Sequence, residues 1–305
     1  MYTGEIAAAV TAILWAFTSL FFTVASRLIG VGAVNRTRLA LALVFITGVH
    51  WLTTGSVFPF ETEPWRWGIL AVSSVAGLAI GDGALFLAFV YIGPRLTLLV
   101  MTIVPVFSTL FAWIWFNEIL VSREILGMFI TIGGIGWVVT ERRNPDSEEN
   151  PYPPEKYGIG IVLALVGALG QTANLVVTKF ALTDGYSALS ATEVRILIAL
   201  VMLCLLASFQ GQLGRSVQKL SNKKAFSFVI AGAIAGPFLG IWFSYIAIQH
   251  TRIGIASTIM ATPPLILIPL SAIFFGEKTS LRGWVGTLVA FAGVGVLLWQ
   301  TGEGV

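Results

Sequence analysis

Asp82 stands near the middle of an otherwise apolar stretch, between Gly81 and Gly83, and Phe86 falls four residues later on the same helical face. A carboxylate at bilayer mid-depth costs roughly 2.5–3.5 kcal/mol on insertion scales, so it must face a water-filled cavity or a partner. Desolvation favours the neutral form of a carboxyl group, which suits proton binding. The plainer alternative is an aspartate bonded to backbone at a glycine-loosened turn. Other polar side chains inside apolar stretches are spaced to share a face: Trp15 with Ser19, Gln171 with Asn174, and Trp242 with Tyr245 and Gln249. Aromatic walls with a few amides and hydroxyls hold a small amphipathic solute, and the same groups also serve as hydrogen bonds between helices. Met101 and Met260 offer unbranched thioethers that suit a cavity of changing shape. Pro105 and Pro264 each follow a methionine by one turn, remove a helical hydrogen bond and bend the axis, and so mark expected hinges.

The signatures of soluble enzymes fail on spacing. Gly276-Glu277-Lys278-Thr279 lacks the glycine pattern of a phosphate loop, since Ser271 stands where the first glycine belongs. His50 and His250, the two histidines, are far apart in sequence, so no metal cluster is expected. Cys204 is the one cysteine and excludes an intrachain disulfide. No catalytic residue, cofactor or nucleic-acid partner is expected, and the energy for any work must come from a gradient of protons or of a counter-substrate.

These side chains need elements to position them, and composition defines the elements. The 305 residues are 56% hydrophobic and 11% charged, against about a quarter charged in soluble domains. About 20 apolar residues in a helix cross the hydrocarbon core. Such stretches lie near residues 4–26, 33–53, 67–90, 95–116, 122–140, 158–181, 187–209, 225–249, 253–275 and 281–300. None alternates with period two, so helices are expected over a barrel. The first begins without preceding basic residues or a following small-residue cleavage pattern, and reads as a retained span.

The second half repeats the first. Gly81/Gly240, Ala88/Ala247, Met101/Met260, Pro105/Pro264, Glu118/Glu277, Arg123/Arg282, Gly127/Gly286, Gly134/Gly293 and Gly136/Gly295 are all 159 residues apart, and Phe86 falls on Tyr245. Upstream, Arg38 and Ala42 match Arg195 and Ala199. The organisation is therefore residues 1–140, a polar linker 141–157, and residues 158–305. An odd number of spans per half makes the second half enter from the opposite side. The expected fold is an all-α membrane protein with ten transmembrane helices in an inverted 5+5 repeat, whose halves alternately expose a central site.

Basic residues are unevenly placed. Arg66, Arg123, Lys179, Arg195 and Arg252 lie on the side of the termini; the other Lys and Arg, including the acid-free loop 211–224, lie on the opposite side. The positive-inside rule then puts both termini outside. Arg38 and Arg195 are expected to extend toward headgroups, with contact to a substrate anion as the alternative. Glu193 is close enough in sequence to pair with basic neighbours, and Lys179 is expected at the interface. Gly127, Gly133, Gly134 and Gly136, with Gly286, Gly293 and Gly295, give the fifth and tenth spans faces for close packing.

The duplicated halves, Phe116-Asn117-Glu118 and Phe275-Gly276-Glu277-Lys278, Arg38 and Arg195, and the glycine-rich fifth and tenth spans carry a likeness over nearly the whole chain. It resembles the drug/metabolite transporter superfamily, in particular its ten-helix EamA-type members. The resemblance implies a carrier of amino acids, amines, sugars or other metabolites. It implies a cavity lined by spans one, three, four, six, eight and nine, including Trp15, Asp82, Met101, Gln171, Trp242 and Met260. It also implies cytoplasmic termini, against the charge count. The glutamate of the small four-helix members has no counterpart, because Trp15 occupies the middle of the first span. The reading is a secondary transporter exporting a small organic metabolite from a prokaryotic cell, with surrounding lipids as its other partner. A flippase for a lipid or lipid-linked sugar, and a non-transporting membrane partner, are the alternatives.

Overall fold

The computed structural model describes residues 2–116, 122–139, 153–211, 213–251, 253–275 and 280–298. Helices account for almost all of them, with no strand among the described residues. The spans are α1 (Thr3–Ile29), α2 (Val31–Thr54), α3 (Pro64–Ile92), α4 (Pro94–Met101 and Val104–Phe116) and α5 (Ser122–Val139) in the first half. The second half has α6 (Tyr157–Ala181), α7 (Ala188–Phe209), α8 (Lys223–His250), α9 (Ile253–Met260 and Pro263–Phe275) and α10 (Leu281–Leu298). α1, α2, α3, α6, α7, α8 and the stretch Pro94–Phe111 of α4 are long and apolar enough to cross a membrane. Linker residues 141–152, the loop residues 117–121 and 276–279, and Arg252 lie outside the described residues.

Local sequence explains the breaks between helices. Gly30 at φ 86° and Gly93 at φ 83° adopt left-handed backbone that only glycine takes at low cost, so α1 turns into α2 and α3 into α4 within one residue. Pro94 and Pro64 each occupy a first helical position, where the missing N–H has no partner to lose.

The prolines expected to bend α4 and α9 from within instead start new helical segments. The breaks fall at Thr102–Ile103 and Ala261–Thr262, and Pro105 and Pro264 sit in the first turn that follows. Proline is compatible with that turn, so the strain moves one or two residues upstream.

α3 and α8 each contain a π-helical segment, Val75–Gly81 and Ile234–Gly240, separated by the same 159 residues as the matched glycines. These segments let the two halves interlock. A Cβ on Gly81 would meet Gly170 Cα of α6 at 3.2 Å, and one on Gly77 would meet Asn174 Cβ at 3.0 Å. In the second half, a Cβ on Gly240 would meet Trp15 Nε1 of α1 at 2.8 Å, and one on Gly236 would meet Thr18. Thus α3 packs on α6, and α8 packs on α1.

Matched helices also meet each other head to tail. On α5 and α10, Gly134 abuts the Ala290 backbone, Gly293 abuts the Thr131 backbone, and Gly286 abuts Val138. On α2 and α7, Thr47 meets Glu193 and His50 meets Ser190. Rising numbers on one helix face falling numbers on the other, so both pairs are antiparallel. The main apolar core, with Ala8, Leu39, Ile46, Leu78, Leu175, Ile196 and Ile248, lies where α1, α2, α3, α6, α7 and α8 converge.

Candidate functional site

A cavity of about 40 Å³ opens between α1, α4, α6 and α9. Its walls include Trp15, Leu98, Met101, Gln171, Leu175, Ser257, Met260 and Pro264. Met101 ends the first segment of α4 and Met260 the first segment of α9, so the two breaks border the void. The lining comes from two matched helix pairs, α1 with α6 and α4 with α9. Such a void holds about two or three waters, far less than the roughly 300–1,000 Å³ of an occupied small-molecule site.

Gln171 is the amide among the lining residues. Asn174 Nδ2 donates to Gln171 Oε1 at 3.2 Å, which commits the amide oxygen. Gln171 Nε2 is buried with no hydrogen-bond partner among the described residues. A buried donor left unpaired costs about 1–3 kcal/mol, and this one lies behind the apolar cavity wall. Asn174 itself is fully engaged: Oδ1 accepts from Tyr245 OH at 2.8 Å and from Thr178 at 3.3 Å.

The sequence-expected residues divide into two groups. Trp15, Met101, Gln171, Met260 and Pro264 come together around the cavity; Asn174 and Tyr245 form the layer behind Gln171. Ser19, Asp82, Phe86, Trp242 and Pro105 are not in its walls. Ser19 Oγ donates to Ala16 O within its own helix at 2.7 Å. Trp242 stacks on Phe238 with ring centroids 6.2 Å apart. Gln249 turns outward to the α6–α7 connection and donates to Tyr186 O at 3.0 Å.

Asp82 pairs instead with Arg38, Nη2 to Oδ2 at 2.6 Å. Arg38 also donates through Nε to Asn35 at 2.9 Å, and its guanidinium lies 4.7 Å from the Phe86 ring centroid and 5.6 Å from that of Phe22. The expectation that Arg38 and Arg195 snorkel to headgroups is overturned: they are 3% and 0% exposed. Each lies about seven residues, or about 10 Å, inside its helix, too deep for the side chain to leave when a carboxylate or carbonyl waits within the bundle. Arg195 repeats the arrangement of its mate, with its guanidinium 5.3 Å from the Tyr245 ring, Tyr245 being the counterpart of Phe86. The counterpart of Asp82 is Ile241, so Arg195 donates to the backbone of Ser73 at 3.0 Å, and its Nε and Nη1 have no hydrogen-bond partner among the described residues.

Sequence reasoning missed the cluster closing the end of the bundle near the N-terminus. Arg66 of α3 bonds Glu63 and Ala181 O, donates to Thr183 O at 3.0 Å, lies 3.5 Å from Asp184, and stacks on Tyr186 at 4.8 Å. Thr62 and Tyr186 share a hydroxyl hydrogen bond of 2.7 Å. Burial pushes the Tyr186 phenol above its ordinary range, so it remains protonated and keeps that bond at neutral pH. Its one available sequence signal was an arginine between two tryptophans at a proline-started helix, Trp65-Arg66-Trp67.

Ten apolar spans among the described residues, in two matched halves around a cavity at their junction, define an integral multi-pass membrane protein. The family model described as the EamA-like transporter family matches residues 2–140 and again residues 158–299. The chain belongs to the EamA-like transporter family, whose members are carriers and not enzymes. It is 26% identical over 257 residues to a probable glucose uptake protein, GlcU, of Priestia megaterium, covering 81% of each chain. A solved crystal structure, 16% identical and aligned over 98% of this chain and 97% of that one, superposes with a TM-score of 0.66 and shares the fold.

Proposed function

We propose that this transporter moves a small amphipathic metabolite, of amino-acid or amine size, across a prokaryotic plasma membrane by alternating access. The observation that carries the solute class is the cavity lining: apolar walls with two methionines and an indole, and the Gln171 side chain among them. Such a lining packs an apolar body, with Trp15 as the aromatic wall. The two halves, residues 1–140 and 158–305, are read as units of opposite membrane polarity, and the antiparallel α2–α7 and α5–α10 contacts support that reading. The two helix breaks that border the void give each half a place to flex between outward and inward openings. Both deep arginines are buried, which disfavours a lipid groove with a cationic mouth.

The name of the Priestia relative favours a second solute, a sugar taken up rather than a metabolite expelled. A hexose has hydroxyls on every edge and requires more donors and acceptors than this lining offers. Purified protein in liposomes, given labelled phenylalanine, tyramine and glucose with and without a pH gradient, separates the readings. Movement of phenylalanine or tyramine, with export from loaded vesicles of fixed orientation, supports ours. Transport of glucose alone removes it. Cysteine labelling of the α1 start from each side of the membrane decides whether the termini face outward, as the charge distribution expects.

A further inference from the structure

Glu193 of α7 is a fully buried carboxylate that neither the cavity nor the arginine pairs use. Its Oε1 accepts from Thr47 of α2 at 2.6 Å. Its Oε2 has no hydrogen-bond partner among the described residues and lies 3.7 Å from His50 Nδ1, with side-chain exposures of 0% for Glu193 and 4% for His50. His50 Nδ1 is 2.9 Å from Ser56 O, a carbonyl that only accepts, so Nδ1 carries a hydrogen. His50 Nε2 lies 3.4 Å from Ser190 Oγ, whose hydroxyl serves a neutral ring as donor or a charged ring as acceptor.

We propose that Glu193 and His50 form a proton-binding site at the contact between the two halves, and that this proton is the ion coupled to transport. This rests on the transporter reading above and names its coupling ion. A buried carboxylate bonded through one oxygen alone is unfavourable without a neighbouring cation or a proton of its own. The pair meets that requirement by holding one proton taken from water, either on His50 Nε2 as an ion pair or on Glu193 Oε2 with both groups neutral.

The surrounding charged groups make their contacts elsewhere. Arg66 is bound to Glu63 and Asp184 at the start of α3. Tyr186 of the α6–α7 connection bonds Thr62, and Arg195, two residues along α7, points to Ser73 and Tyr245. On α8, Gln249 is bound to the Tyr186 carbonyl and His250 is exposed. Since α2 and α7 belong to different halves, any rocking that parts them admits water to Glu193 and releases the proton.

Direct proton binding tests the site without a transported solute, so its outcome is independent of the substrate reading. Full-length protein in lipid nanodiscs is followed by infrared difference spectroscopy between acidic and alkaline pH, in the carbonyl-stretch region of protonated carboxyl groups. The expected result is a titrating band that Glu193→Gln abolishes, that Asp184→Asn leaves in place, and whose midpoint His50→Gln and Thr47→Val displace. The last two variants keep the carboxylate and serve if Glu193→Gln does not fold. A band that survives Glu193→Gln, a midpoint unmoved by both neighbouring substitutions, or no titrating band in the native protein overturns the proposal.

Discussion

Two guanidinium groups lie deep in this bundle, and of the two only that of Arg38 meets a carboxylate within ion-pair distance among the described residues. Removing one partner of a buried pair is more damaging than removing both, because the survivor keeps its desolvation cost. Asp82→Asn is therefore expected to destabilise the protein by about 3–5 kcal/mol. The double change Arg38→Met with Asp82→Leu should recover most of that loss, as read by thermal unfolding in detergent. A double variant as unstable as the single one sinks this account. At the cavity, Gln171→Leu deletes the unpaired donor while keeping its bulk. A neutral hydrogen bond is worth about 0.5–1.5 kcal/mol, so the apparent KM for a transported solute should rise roughly two- to tenfold with Vmax little changed. An unaltered KM would separate Gln171 from recognition. Trp15, Met101, Gln171 and Met260 were legible as a set because mid-span polar and flexible side chains are rare enough to notice. The burial of Arg38 and Arg195 was not, because sequence records distance along a helix and says nothing of which neighbour waits beside it.

At the scale of the helix, the ten spans were readable because twenty apolar residues leave few alternatives in lipid. Their internal irregularities were not readable. A π segment has no composition of its own beyond small residues, and each one turns whatever follows by about 100° relative to an unbroken helix. Trp242 stacks on Phe238, four residues earlier, and stays out of the cavity walls although the family resemblance implied a place for it there. The glycine faces of α5 and α10 were read correctly in kind, and the structure ranks their members. A Cβ on Gly134 would lie 2.5 Å from Ala290 N, whereas one on Gly133 meets nothing within 4 Å. Gly134→Ala should thus destabilise by about 1–3 kcal/mol through forced separation of the helices, while Gly133→Ala is neutral or better. Equal unfolding midpoints for the two variants would contradict the close contact.

For the molecule as a whole, the described conformer is fastened at the end that holds the N-terminus. Arg66 joins α3 to the α6–α7 connection, Gln249 ties α8 to Tyr186, and Thr251 donates to Glu5 of α1 at 3.3 Å. Arg66→Ala removes several charge-assisted bonds at once, each worth about 1.5–3 kcal/mol. Opening at that end should become roughly tenfold more populated, or more. The check is the rate at which an impermeant maleimide added from that side labels Ser257→Cys in a Cys204→Ser background. A rate unaffected by the arginine change would mean that the cluster does not hold the bundle shut. The doubling itself was visible in sequence because both copies kept their glycines, methionines and prolines in step. The paired π segments carry the doubling into the irregular turns as well. Each widens one turn of its span by a residue, so α3 and α8 shift their faces by the same amount where each crosses a helix of the other half.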